Sequence, residues 1–224
     1  MFKNLLQFWK GKDFLTQVLE EFKSMLEGTH EMFETVCNKL IYNKEEKDLE
    51  KRVYDIDKNV NQLQKDIRKR IIGHLSLQPS VDVSMSLLLM SVVKDAERLG
   101  DYSKNLFQVT KFLDKPVDMD KYRDLFNSID KEILKLFDDT KKAFIESDEV
   151  RAVKSWEYER DIAKRCDKIL EKLAKSDLSV NEAVCFALMA RHFKRIVAHL
   201  TNIATSVILP LADLDYFDEK RRED

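Results

Sequence analysis

Glu97 and Asp101 stand four residues apart in the stretch Asp95-Ala-Glu-Arg-Leu-Gly-Asp-Tyr-Ser-Lys-Asn105. On a helix, that spacing sets both carboxylates on one face, a turn apart. Hard and borderline cations need several deprotonated oxygen ligands converging on a point, and paired carboxylates supply them. The same two groups can instead be satisfied on a solvated face by Lys94, Arg98 and Lys104. Asp57 and Asn61 repeat the four-residue spacing earlier in the chain, and Glu157 and Asp161 repeat it later. An altered copy of the first stretch returns as His192-Phe-Lys-Arg-Ile-Val-Ala-His-Leu-Thr-Asn202, with Lys194 and Ala198 in place of the two carboxylates. An ammonium brings donors, a positive charge and no lone pair, so it cannot share a small site with a cation cheaply. Any cation site is therefore expected in the first copy, with Lys194 free to neutralise Glu157 or Asp161.

The remaining chemistry-bearing residues point elsewhere. His30, His74, His192 and His199 show no zinc-binding spacing; His192 and His199, seven apart, could share a face, and a surface or partly buried place is expected for these two. Cys37, Cys166 and Cys185 are isolated and odd in number, which fits a reducing compartment and small core residues. No Gly-rich phosphate loop, nucleophile elbow or C-x-x-C is present.

The elements that must position these residues are helices. Only four Gly and three Pro occur among 224 residues, and 36% are charged. A net charge of −2, with both signs interspersed, calls for no nucleic acid. No apolar run approaches the roughly 20 residues that span a bilayer, and no signal peptide is visible. Four-three steps of apolar residues predict helices over 13–42, 47–74, 81–112, 118–146, 148–174 and 179–209. The seam of the helix at 148–174 reads Val153, Trp156, Ala163, Cys166, Leu170 and Leu173. Residues 81–93 are apolar nearly all round, which places the N-terminal half of that helix centrally. Gly100 inside it costs about 1 kcal/mol against Ala, which suggests close approach of a helix or ligand. The fold class is all-α: two tandem three-helix bundles over 13–114 and 117–210, related by an internal repeat. A short amphipathic helix over 1–12 precedes them, with Phe2, Leu5, Leu6 and Trp9 on one face as a partner or membrane-interface contact. A charged tail, 211–224, follows.

The 95–105 stretch, with the Gln78-Pro-Ser80 turn before a Leu-rich helix, resembles the signature of PhoU-type phosphate-uptake regulators over residues 14–210. That resemblance implies two similar three-helix bundles side by side. It also implies surface clusters of transition ions, iron or zinc, held by paired carboxylate motifs from two helices of a repeat. Carried onto this chain, the ligands would be Glu97, Asp101, Asp57 and Asn61, with Glu157 and Asp161 a weaker set. Asn61 stands where a carboxylate is often found, and the second repeat has lost half its motif, so at most one cluster is expected. The resemblance further implies a cytoplasmic, non-catalytic regulator, peripheral at the inner face of the membrane and able to form a homodimer. Its partners would be a phosphate transporter or its ATPase subunit, or a membrane sensor histidine kinase. A divergent accessory protein of a sodium-coupled phosphate carrier is the alternative. A carboxylate-metal enzyme is less favoured, because the bundle lacks the Glu-x-x-His motifs of that class.

Overall fold

The computed structural model of the chain describes residues 13–215. The expected N-terminal helix with Phe2, Leu5, Leu6 and Trp9, and the tail beyond 215, lie outside the described residues. Within them the order is α1 (Asp13–Leu40), α2 (Leu49–Leu77), α3 (Val83–Phe112), α4 (Met119–Phe126), α5 (Ile129–Glu146), α6 (Glu149–Leu173), α7 (Val180–Thr205) and a 3-10 turn, Leu211–Asp213. No strand occurs among the described residues, and none of their helices is long and apolar enough to cross a membrane.

Helices α1, α2 and α3 pack pairwise into one bundle. Helices α5, α6 and α7 form the other, with α4 against α6. The bundles meet where α3 crosses α7 and α1 touches α5. The apolar all-round pattern of α3 follows from this: it must bury faces against α1, α2 and α7 at once. Its buried residues run from Met85 to Val109, well beyond the N-terminal half. One apolar cluster continues through both bundles, and Cys37, Cys166 and Cys185 are buried free thiols.

Three sequence expectations need correction. The helix expected over 118–146 is two, because Asn127 and Ser128 both adopt left-handed backbone at φ 44° and 62°. The apolar spacing continues across the break, so periodicity alone hides it. Asp118 caps α4 by accepting from the Asp120 and Lys121 amides. Arg165 of α6 donates to the carbonyls of Phe126 and Asn127, at 3.3 and 3.4 Å, which answers orphan acceptors at the break. The buried face of α6 is Ala152, Ser155, Trp156, Ile162, Cys166, Ile169 and Leu173, while Val153, Ala163 and Leu170 are only partly buried. Ser155 can enter that face because its hydroxyl donates to the Arg151 carbonyl at 3.0 Å. The last helix ends at Thr205, and Trp156 and Leu209 form a small satellite cluster with Leu214 packed against it.

A buried carboxylate ties the turn after α1 to the second bundle. Asp130, 1% exposed, accepts from Tyr42 and Tyr122 hydroxyls, each at 2.7 Å. Its place in the first turn of α5 adds the favourable end of the helix dipole. Burial and the Asp130 charge push both phenols far above the usual tyrosine range, so they stay donors.

Gly100 faces α1 and α2. A methyl group there would meet Thr29 Cγ2 at 3.6 Å and Val60 Cγ1 at 3.9 Å, which is ordinary contact. Gly100→Ala is therefore expected to stabilise the fold by about 0.5–1 kcal/mol through helix propensity, read as a higher urea midpoint with unchanged slope. A loss of stability would show that the helices are closer than these distances allow.

Candidate functional site

The first-repeat residues do come together. Asp57 and Asn61 on α2 face Glu97 and Asp101 on α3, and all four are partly buried. Asp57 and Asp101 both raise the Glu97 pKa by charge, after burial, which is the larger cause. Lys104 lies among them. Its Nζ is 2.8 Å from Asp57 Oδ1 and 3.2 Å from Asp101 Oδ1. Arg98 takes the other oxygen of Asp101 at 2.9 Å, and stands 3.8 Å from Glu97. Asn61 presents its amide nitrogen to Asp57 Oδ2 at 3.4 Å, acting as a donor. As placed, the donor set does not fit a metal cluster: an ammonium sits between the α2 and α3 carboxylates, and other donors face their remaining oxygens. Among the described residues no group of three or more His, Cys, Asp or Glu is arranged to hold a metal ion.

The second-repeat residues are not brought together in the same way. Glu157 and Asp161 lie on the exposed face of α6, and Asp161 pairs with Arg165 at 3.0 Å. Lys194 reaches Asp167 at 2.7 Å, not Glu157 or Asp161. At the position equivalent to Lys104, Thr201 directs its hydroxyl to the Ser155 carbonyl at 3.4 Å.

The two signature copies meet each other, which sequence reasoning missed. Asp95, 7% exposed, lies 2.7 Å from His199 Nδ1 and accepts from Asn202 Nδ2 at 3.2 Å. Tyr102 stacks on the His199 ring at 5.6 Å and leans on His192 at 6.0 Å. The Arg195 guanidinium lies over the Tyr102 ring and donates to its hydroxyl at 3.1 Å. Aligning Arg98 with Arg195 makes His192 the equivalent of Asp95, and His199 the equivalent of Tyr102. The 95–199 and 192–102 contacts are then one contact seen from both halves. As one number rises its partner falls, so α3 and α7 run antiparallel about a local two-fold. The available signal was that Asp95 and Tyr102 share the seven-residue spacing of His192 and His199. His192 Nδ1 is buried with no hydrogen-bond partner among the described residues. Burial, helped by Arg191, holds its pKa below the usual histidine value, which keeps the ring neutral near pH 7.

The family model for the PhoU domain matches residues 22–110 and again 126–207. This chain belongs to the PhoU family. Its two matches correspond to the two bundles. A phosphate-specific transport system accessory protein PhoU homolog 1 of Thermotoga maritima is 24% identical over 205 residues, covering 85% of this chain and 79% of the relative. A homolog from Clostridium acetobutylicum is 22% identical over 203 residues, covering 84% and 92%. The crystal structure of PhoU from Pseudomonas aeruginosa superposes with a TM-score of 0.74 at 21% identity, covering 87% of this chain and 95% of that one. The phosphate transport system regulatory protein PhoU from Streptococcus pneumoniae gives 0.71 at 18%, covering 91% and 97%. At those identities the structural likeness shows the fold.

Asp95→Ala is expected to cost about 2–3 kcal/mol, since it strands a buried donor on His199 and a partly buried one on Asn202. Glu157→Ala should stay within about 0.5 kcal/mol of wild type. Urea denaturation of the two variants checks both. Glu97 gives a pH test. Its folded pKa is raised above 4.5, so the folded state loses stability relative to the unfolded chain as pH rises through that value. In chelator, Glu97→Gln should therefore raise the Tm at pH 7, with the gain shrinking toward pH 4.5. A gain independent of pH would assign the effect to something other than ionisation.

Proposed function

We propose that this chain is a non-catalytic cytoplasmic regulator of phosphate transport, acting by contact with the membrane transport machinery. The observation that carries this reading is the PhoU match over both repeats. The relatives' names support it, since they are accessory proteins of phosphate-specific transport. The joined halves support it as well. The two copies of the signature stretch spend Asp95, Tyr102, His192 and His199 on contacts between the two bundles. A body held that way presents fixed charged helix faces, which suits selection of one conformational state of a partner. Such a protein shifts its partner's equilibrium only by its difference in affinity for the two states. The partner in this reading is the transporter, through its ATPase subunit, or the membrane sensor histidine kinase that reports phosphate supply.

Deletion of the gene in its native host is the test. Phosphate uptake and phosphate-starvation reporters should become derepressed in phosphate-rich medium. The wild-type chain and Glu157→Ala should restore control, and tagged protein should capture the ATPase subunit or the kinase. Normal repression in the deletion strain would end this reading. Derepressed uptake that depends on a sodium gradient, with no capture of an ATPase subunit, would move the protein to a sodium-coupled carrier.

A further inference from the structure

We infer that Lys104 is a built-in cation: its ammonium takes the position between the α2 and α3 carboxylates that a metal ion would otherwise fill. First-repeat packing in this chain then needs no bound metal. The inference does not depend on the transport role.

The geometry is that of a bridge. Lys104 starts on α3, one turn beyond Asp101, and crosses to Asp57 on α2, contacting both at 2.8 and 3.2 Å. Its side chain is 21% exposed, and those of Asp57 and Asp101 are 15% and 28% exposed. Glu97, the third carboxylate, feels the Lys104 charge in the same place. Two helices carrying facing carboxylates repel unless a cation lies between them, and at this depth water screens that repulsion poorly. A divalent ion could supply the positive charge, but it would have to expel an ammonium that is already tethered. It would also meet Asn61 donating to Asp57 and Arg98 donating to Asp101.

The second repeat shows the same register doing the same job without charge. Thr201, the equivalent of Lys104, reaches across to the Ser155 carbonyl on α6. Glu157 and Asp161, the carboxylate pair of that repeat, lie on the exposed face of α6.

The experiment uses full-length protein stripped with chelator and titrated with manganese(II) alone. This oxygen-seeking ion can be followed by EPR. Wild type, Lys104→Met, Lys104→Arg and Lys104→Met/Asp57→Asn are compared, with Tm measured with and without the ion. Wild type and Lys104→Arg should show only weak binding and no rise in Tm. Lys104→Met should lose Tm in chelator, bind manganese(II) about tenfold or more tightly than wild type, and recover Tm with it. The double variant should lose that gain. Stoichiometric micromolar binding by wild type would overturn the inference, and this measurement stands even if Lys104→Met fails to fold. A folded Lys104→Met that binds no better than wild type, or keeps its Tm in chelator, would overturn it too.

Discussion

The contact between Asp95 and His199 is the constraint on which the arrangement of the two bundles depends. A carboxylate with 7% exposure must have donors close by, and both of its donors come from the other half of the chain. A separated first bundle would leave Asp95 to water and Tyr102 without its stacked partners. A separated second bundle would expose His199 and the apolar side of α7. Asp130 imposes the same condition near the start of α5, with one tyrosine donor from each half. Apolar burial supplies the bulk of the driving force, since the core is continuous across the junction. The polar contacts decide which relative orientation is adopted, because a slid or rotated α3–α7 pair would leave these groups unpaired.

Charge is then distributed by repeat. In the first, carboxylates and cations meet across the gap between α2 and α3. In the second, hydroxyl and carbonyl meet at the matching point, and the ion pair of Lys194 with Asp167 lies further along α6. Arg165 performs a different task on the same helix. It takes both oxygens of Glu132 at 2.8 Å while serving the carbonyls at the α4–α5 break, so one guanidinium fastens three helices.

Much of the fold was legible because its periodicity is strong. The helix seams, the Pro-bearing boundary at Pro116 and the repeat of the 95–105 stretch all follow from apolar spacing and breaker residues. The break at Asn127–Ser128 was not legible, because both residues adopt positive φ without glycine and the apolar steps run on through it. The α6 face was misread for a related reason. Ala152 and Ser155 are buried although neither is strongly apolar, since small residues let α7 approach. At the site, spacing put Glu97 with Asp101 on one helix face, the PhoU resemblance joined Asp57 and Asn61 to them, and the structure brings the four together. It could not show that Lys104 would lie between them, because a long flexible side chain three residues on can point along the helix or across to its neighbour. The pairing of the two signature copies was not legible, because spacing within a helix says nothing of which helix its face meets.

The local two-fold between α3 and α7 carries a consequence for assembly. Two first halves facing one another would set Asp95 against Tyr102 on both sides, an acceptable hydroxyl-to-carboxylate match. Two second halves would bring His192 and His199 together twice, with no acid to receive either ring. The unlike combination alone gives His199 its carboxylate. That asymmetry disfavours pairing of second halves with each other, while a first half and a second half complement one another.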